Sequence, residues 1–158
     1  MSLSIVPFRP DHAAAWAALN EAWLAEGGFA VEGKDRKVID DPQGAILDRG
    51  GRIFMAERAS PPGSGEVIGC CALMAMDDGG YEVAKMTVSP AARGLGLGRR
   101  LLEACEAAAR AAGAPRLYLE TNRSLKPAGT LYRSFGFVDL PPRPSPYARA
   151  DVWMEKRL

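Results

Sequence analysis

The chain has 158 residues, 47% of them hydrophobic and 25% charged, and a formal net charge of +1. That length suits one domain with a sizeable core, and the balance is that of an ordinary globular protein rather than a disordered or fibrous one. A near-neutral chain has no bulk attraction to nucleic acid or to a membrane surface, and its apolar runs are too short to span a bilayer. The opening residues Met1 to Pro7 lack a basic region followed by an apolar core, so no secretory leader is expected. Cys70, Cys71 and Cys105 are odd in number and sit in apolar patterns, as reduced core thiols of a cytoplasmic protein do. His12 is the single histidine and there is no Cys-x-x-Cys pair, which argues against a zinc site and against a histidine-based triad. No metal is expected.

In chain order, Leu3, Ile5, Pro7 and Phe8 read as a short strand. Asp11 is a helix cap. Ala14, Trp16, Leu19, Trp23 and Leu24 then carry a helix through Glu26, stopped by Gly27-Gly28. A second helix is read over Lys34 to Asp40, and a turn at Asp41-Pro42-Gln43-Gly44. The pattern then changes to strands at Arg52–Arg58, Val67–Met76 and Tyr81–Val88. Ser60–Gly65 reads as a loop between the first two. Asp77–Gly80 is a hairpin turn, where Asp and Gly supply the positive φ required. Short connections make these strands an antiparallel meander. Leu97, Leu101, Cys105, Ala108, Ala109 and Ala112 have helical period and end at Gly113 and Pro115. The strand Arg116–Glu120 follows, and a strand-helix-strand unit favours a parallel pair. A last helix is read from Leu125 to Phe135 with Gly136 as its stop, then a rigid loop from Leu140 to Pro146 and a final strand from Tyr147 to Leu158. No repeat or linker divides the chain, so residues 1–158 read as one domain.

Between the third meander strand and the helix at Leu97 lies Arg93-Gly94-Leu95-Gly96-Leu97-Gly98-Arg99-Arg100. A helix start has N–H groups without partners inside the helix, and the dipole adds partial positive charge there. Glycines let a ligand approach the backbone closely. The expected guest is an anion, most simply a phosphate or pyrophosphate. The dinucleotide fingerprint Gly-x-Gly-x-x-Gly fails in both registers, with Arg99 or Leu101 where the third glycine belongs. The P-loop fails too, because Gly98 is followed by Arg-Arg.

What remains, Arg93-x-x-Gly96-x-Gly98 behind a strand, resembles the acetyl-CoA-binding motif of the GNAT superfamily of N-acetyltransferases. A second segment fits the same family: Asn122-x5-Ala128-x2-Leu131-Tyr132-x2-Phe135-Gly136-Phe137. The element order resembles the GNAT topology from end to end, most clearly over Tyr81–Phe137. The fold implied is α/β (α+β): a mixed, mostly antiparallel central sheet with helices on both faces.

The resemblance also implies roles. The backbone of Arg93, Gly94, Leu95, Gly96, Leu97, Gly98 and Arg99 would cradle the pyrophosphate of acetyl-CoA, the co-substrate. Met86-Thr87-Val88 would hydrogen-bond the pantetheine arm, and one N–H there would polarise the thioester. In the family that strand usually carries a bulge and splays from its neighbour. Asn122 would touch the pantetheine or the acceptor. Tyr132 would protonate the leaving thiolate, although Ala128, Leu131, Tyr132 and Phe135 also follow core spacing. Glu82 lies six residues before Val88, the spacing of a glutamate base in one branch of the family; it also reads as a solvated strand carboxylate. Glu120 and Lys85 are weaker candidates, and in a regular strand Lys85 faces away from Glu82. The acceptor site would draw on Trp23, Phe29, Glu32, Asp35, Tyr147 and Arg149. Arg149 has the fork to hold a carboxylate, or it pairs with Asp151 as one exposed strand feature, two residues apart on the same side.

The implied function is transfer of the acetyl group of acetyl-CoA to a primary amine of a small molecule or amino acid. The alternatives are a protein or peptide N-acetyltransferase, a non-catalytic acyl-CoA sensor, or a structural interaction domain. The partners implied are acetyl-CoA and an amine acceptor, with a homodimer allowed and no nucleic acid or membrane.

Overall fold

The computed structural model describes residues 2–59 and 65–158. A mixed sheet of seven strands runs through it in the order β1-β2-β3-β4-β5-β7-β6. The strands are β1 (Ser2–Pro7), β2 (Arg52–Ala59), β3 (Glu66–Ala75), β4 (Tyr81–Val88), β5 (Arg116–Thr121), β6 (Val138–Leu140) and β7 (Val152–Arg157). The helices are α1 (Ala13–Gly27), α2 (Gly33–Asp40), α3 (Pro42–Ala45), α4 (Leu97–Ala111) and α5 (Lys126–Ser134). β4 and β5 pair in parallel; the other ladders are antiparallel. The loop read at Ser60–Gly65 lies, Gly65 excepted, outside the described residues.

Helices cover both faces, and the centre of the sheet shows why. Successive strand residues point to opposite faces. In β3, Cys71 and Leu73 enter the core beneath α4 and α5, while Cys70 and Ala72 enter the core beneath α1 and α2. All four are 0% exposed. Such a strand reads as an unbroken apolar run because neither face is wet. α4 buries Leu97, Leu101, Leu102, Cys105 and Ala109, one stripe at helical spacing. On the other face Trp16 is fully buried and its Nε1–H donates to the Val38 carbonyl at 3.0 Å, tying α1 to α2. Among the described residues no helix is long and apolar enough to cross a membrane.

Two irregularities in β4 decide what the sheet can do. Cys70 pairs with Thr87 and Ala72 with Ala84, so two steps on β3 face three on β4. The extra residue is a bulge, and Lys85 sits there with φ of 55°. The second irregularity is on the other edge. β4 pairs with β5 only through Tyr81 and Glu82; from Val83 onward the two strands part. Both the bulge and the splay expected from the resemblance are present.

Three boundaries differ from the sequence reading. Asp41-Pro42-Gln43-Gly44 is not a simple turn: the Asp41 carboxylate accepts the Gly44 N–H at 2.9 Å and caps the single turn α3, with Pro42 at its start. The final strand begins at Val152, not Tyr147. Pro141, Pro142, Pro144 and Pro146 lack the N–H groups a ladder needs, and Tyr147–Ala150 close as a turn through Ala150 N–H to the Tyr147 carbonyl at 3.3 Å. The short strand β6 pairs with β7; its three residues are too few for alternation to show.

Candidate active site

Two cavities adjoin in the cleft between β4 and β5, sharing Trp23, Met86, Leu125 and Ala128 as walls. The larger, about 650 Å³, is lined by Met86, Thr87, Val88, Arg93, Gly94, Gly96, Leu97, Gly98 and Arg99. Between Arg93 and Arg99, Leu95 alone is absent from the lining, and it is half-exposed. The smaller, about 140 Å³, brings together Trp23, Glu82, Asn122, Tyr132, Tyr147 and Arg149. Phe29 and Glu32 stand behind this wall. Phe29 stacks on Trp23 with centroids 5.4 Å apart, and Glu32 bonds Arg149 at 3.3 Å.

The glycine stretch forms a cradle of free donors. Gly94 and Gly96 have φ of 84° and 73°, a region other residues rarely adopt, and Gly96 caps α4. Among the described residues the N–H groups of Gly94, Leu95, Gly96, Leu97, Gly98 and Arg99 meet no backbone acceptor; the first bond of the helix is Arg100 N–H to the Gly96 carbonyl at 3.2 Å. Successive free N–H groups at a helix N-terminus suit a phosphate. Gly98 serves packing instead: a Cβ there would come within 2.8 Å of Leu131 Cδ2, so the bare backbone lets α4 approach α5. The arginines are docked on the protein. Arg93 forks onto Glu26 with both contacts at 2.7 Å, and Arg99 donates to Ser134 Oγ at 2.9 Å.

In the smaller cavity Glu82 has no hydrogen-bond partner among the described residues. Burial and then repulsion from Glu120 push its carboxyl up to about 7, against the pull of Lys34 and Lys85. Glu120 accepts hydroxyl protons from Ser145 at 2.5 Å and Tyr118 at 2.8 Å. The bulge corrects one expectation: Lys85 does not face away from Glu82 but lines the same cavity. Its ammonium donates to Asp35 at 2.5 Å and lies 4.9 Å from the centre of the Tyr147 ring. Burial lowers the Lys85 pKa, against the pull of Asp35.

Asp35 is 0% exposed and is the hub behind this cavity. It accepts from Lys85, from Arg149 at 2.7 and 2.9 Å, and from the Glu32 N–H at 2.9 Å. Burial pushes its carboxyl up, but the hydrogen bonds from Arg149 and Lys85 outweigh that and hold it well below the usual carboxylate range. The fork of Arg149 is therefore occupied by internal carboxylates, and its guanidinium stacks 4.3 Å above the Tyr147 ring. The pairing with Asp151 does not occur. Arg149 is in the loop before β7, whereas Asp151 accepts from the Arg123 N–H at 2.8 Å and its guanidinium at 3.2 Å. Asn122 fixes that loop, donating to the Arg149 carbonyl at 2.7 Å while accepting from the Ser124 N–H at 2.9 Å.

Tyr132 is 8% exposed and meets Phe137 edge-on with centroids 5.9 Å apart. Both readings of it hold at once: it packs in the core and lines the smaller cavity. Its hydroxyl has no hydrogen-bond partner among the described residues. Burial pushes its pKa up, so it is a proton donor at neutral pH. The sequence reading missed Asn20, a buried polar residue on α1 that lines the cavity and donates to the Trp16 carbonyl at 2.9 Å. A lone asparagine among the apolar positions of that helix was its only signal. Among the described residues no cluster of His, Cys, Asp or Glu is arranged to hold a metal ion.

Comparison with known proteins places the chain in a family. The model of the acetyltransferase (GNAT) domain matches residues 49–139. Over 110 residues, 68% of each chain, the sequence is 46% identical to a protein called IAA acetyltransferase from Azospirillum brasilense. The fold superposes on an acetyltransferase of the GNAT family from Staphylococcus aureus with a TM-score of 0.87, at 17% identity and over 99% of each chain. It also superposes, with a TM-score of 0.73 and 22% identity, on N-acetylglutamate synthase from Neisseria gonorrhoeae complexed with coenzyme A and N-acetyl-glutamate, covering all of this chain and 35% of that one. The chain belongs to the GNAT acetyltransferases and is an acyltransferase.

Proposed function

We propose that the protein transfers the acetyl group of acetyl-CoA to a primary amine of a small molecule. One observation carries the reading: a raised carboxylate, Glu82, and a buried protonated phenol, Tyr132, line one small cavity that adjoins the glycine cradle. The cradle fits the co-substrate, because six successive residues from Gly94 to Arg99 offer free N–H groups and β4 beyond Glu82 is unpaired on the β5 side. Arg93 to Arg99 would hold the pyrophosphate, and Met86 to Val88 the pantetheine arm. When bound, acetyl-CoA supplies an acetyl thioester.

The protein's own groups then have distinct tasks. An N–H on the open edge of β4 donates to the thioester carbonyl oxygen and stabilises the charge that develops there. An amine is mostly protonated at neutral pH, so a base must accept a proton before the nitrogen can attack. Glu82 is matched to that work, with its carboxyl near 7. Tyr132 donates its phenol proton to the departing thiolate. Trp23 and Tyr147 wall the acceptor side, and Asp35 and Glu32 keep Arg149 in place. The cavity's roughly 140 Å³ is the volume of about five waters, which favours a small molecule over a peptide segment.

The test is release of free thiol from acetyl-CoA against a panel of amines, amino acids and peptides. Turnover of at least one small amine, lost in Glu82→Gln at low pH and restored as pH rises, supports the reading. Tight acetyl-CoA binding by calorimetry with no turnover on any amine would make the protein a sensor and end the proposal.

A further inference from the structure

We infer that the acceptor is a short diamine: a small amine carrying a second positive charge and no carboxylate, with Glu82 facing the reacting nitrogen and Glu120 holding the other. This rests on the acetyl-transfer reading above. It follows from a census of charge. The charged side chains lining the smaller cavity are Glu82, Lys85, Glu120 and Arg149, which looks balanced until their partners are counted. Both cations are already neutralised from outside the lining. Lys85 is bonded to Asp35 at 2.5 Å, and Arg149 to Asp35 at 2.7 Å and to Glu32 at 3.3 Å. Among the described residues neither acid has a cation within bonding range: Glu120 is met only by the hydroxyls of Tyr118 and Ser145, and Glu82 by nothing. Lys34 and Lys85 pull on Glu82 only through space; Lys34 is exposed, and Lys85 is held by Asp35. The charge left for a ligand to satisfy is therefore negative on the cavity side.

An acceptor carboxylate has no receiver here. To reach Arg149 it would have to displace Asp35, leaving a fully buried carboxylate short of partners. An ammonium meets the opposite situation, since a partly desolvated carboxylate gains a charge-assisted bond. The spacing fits a short chain. Glu82 is opposite Tyr118 in the parallel ladder and Glu120 is two residues further along β5. Two residues of strand advance about 6.6 Å and neighbouring strands lie about 4.8 Å apart, so the two backbone positions are about 8 Å apart, a separation that two glutamate side chains and a four-carbon diamine can bridge. Met86, Leu125 and Ala128 give the methylenes apolar walls.

The experiment measures thiol release with putrescine, with its monoamine analogue butylamine and with its amino-acid analogue γ-aminobutyrate. The expected order of kcat/KM is putrescine first, by about tenfold or more, then butylamine, with γ-aminobutyrate last; a charge-assisted hydrogen bond accounts for a factor of that size. In Glu120→Gln the preference for putrescine over butylamine should collapse towards unity, mainly through KM, whereas Glu120→Asp should retain part of it. Calorimetry should show putrescine heat reduced in the Gln variant. Equal rates on putrescine and butylamine in the wild type, or a preference for γ-aminobutyrate, overturn the diamine assignment and leave acetyl transfer standing. No turnover on the whole amine panel overturns acetyl transfer itself, and this inference with it.

Discussion

Asp35→Asn should cost the fold about 3–5 kcal/mol, the usual loss when one partner of a buried ion pair is removed. The carboxylate is 0% exposed and takes bonds from Lys85, from both arms of Arg149 and from the Glu32 N–H. An asparagine keeps the shape but has one acceptor oxygen, and its amide hydrogens must point at Lys85 or Arg149. Arg149 would then keep Glu32 as its only carboxylate partner among the described residues, and Lys85 would have none. For a domain of this length each kcal/mol moves the midpoint by about 2–4 °C, so the thermal midpoint should fall by roughly 6–20 °C. Adding Lys85→Met removes one stranded charge and should recover part of the loss. Acid gives a second check. The Asp35 carboxyl is lowered in the fold, so its contribution is complete above the unfolded value of 3.8 and fades as pH drops below it. The gap between wild type and Asp35→Asn should therefore narrow only below about that pH. Urea unfolding reads the difference directly. A loss under about 1 kcal/mol with an unchanged slope would mean that the cluster is screened like a surface pair, and the argument for an occupied Arg149 would go with it.

The other expected outcomes concern chemistry. With Glu82 raised to about 7, kcat/KM should rise with pH through an apparent pKa near that value, and Glu120→Gln should move the limb downward by removing repulsion; an unmoved limb separates the two carboxylates. The same shift has a stability sign: a carboxyl raised from 4.5 disfavours the fold as pH climbs from there to about 7, so Glu82→Gln should gain stability relative to wild type across that window in urea titrations. Gly96→Glu should abolish acetyl-CoA binding, since φ of 73° strains the new residue and its charge faces the cradle; a folded variant by circular dichroism that still binds in calorimetry contradicts the cradle. Tyr132→Phe should lower kcat by ~10²-fold with little change in acetyl-CoA affinity, and unchanged turnover would remove it from the proton path.

Much of this architecture was legible because it is local. The glycines, the apolar stripe of α4 and the alternation of the meander are short-range patterns, and a strand–loop–helix with free N–H groups follows from them. The helix stops at Gly28 and Gly136 were legible too, since both take positive φ. What escaped is long-range. Nothing in the run Glu82-Val83-Ala84-Lys85-Met86 marks a bulge, because the extra residue exists only relative to β3; without it Lys85 is assigned to the wrong face. The final strand is expected from Tyr147 and so takes in Arg149, but four prolines upstream delay pairing until Val152. Its partner Asp35 lies 114 residues away, a separation over which no spacing rule operates.

The bulge and the buried cluster explain each other. A lysine with φ of 55° occupies a region costly to a non-glycine residue. Such a conformation persists when its surroundings over-determine it. Here the bond to Asp35 and the face of Tyr147 fix the ammonium at one end, and the ladder to β3 fixes the backbone on either side through Ala84 and Thr87. A regular β4 would send Lys85 to the other face and leave Asp35 with Arg149 and the Glu32 N–H. The ion pair thus holds the bulge, the bulge brings Lys85 and Glu82 to one cavity, and the parting of the strands leaves the backbone of Met86 to Val88 open to a ligand.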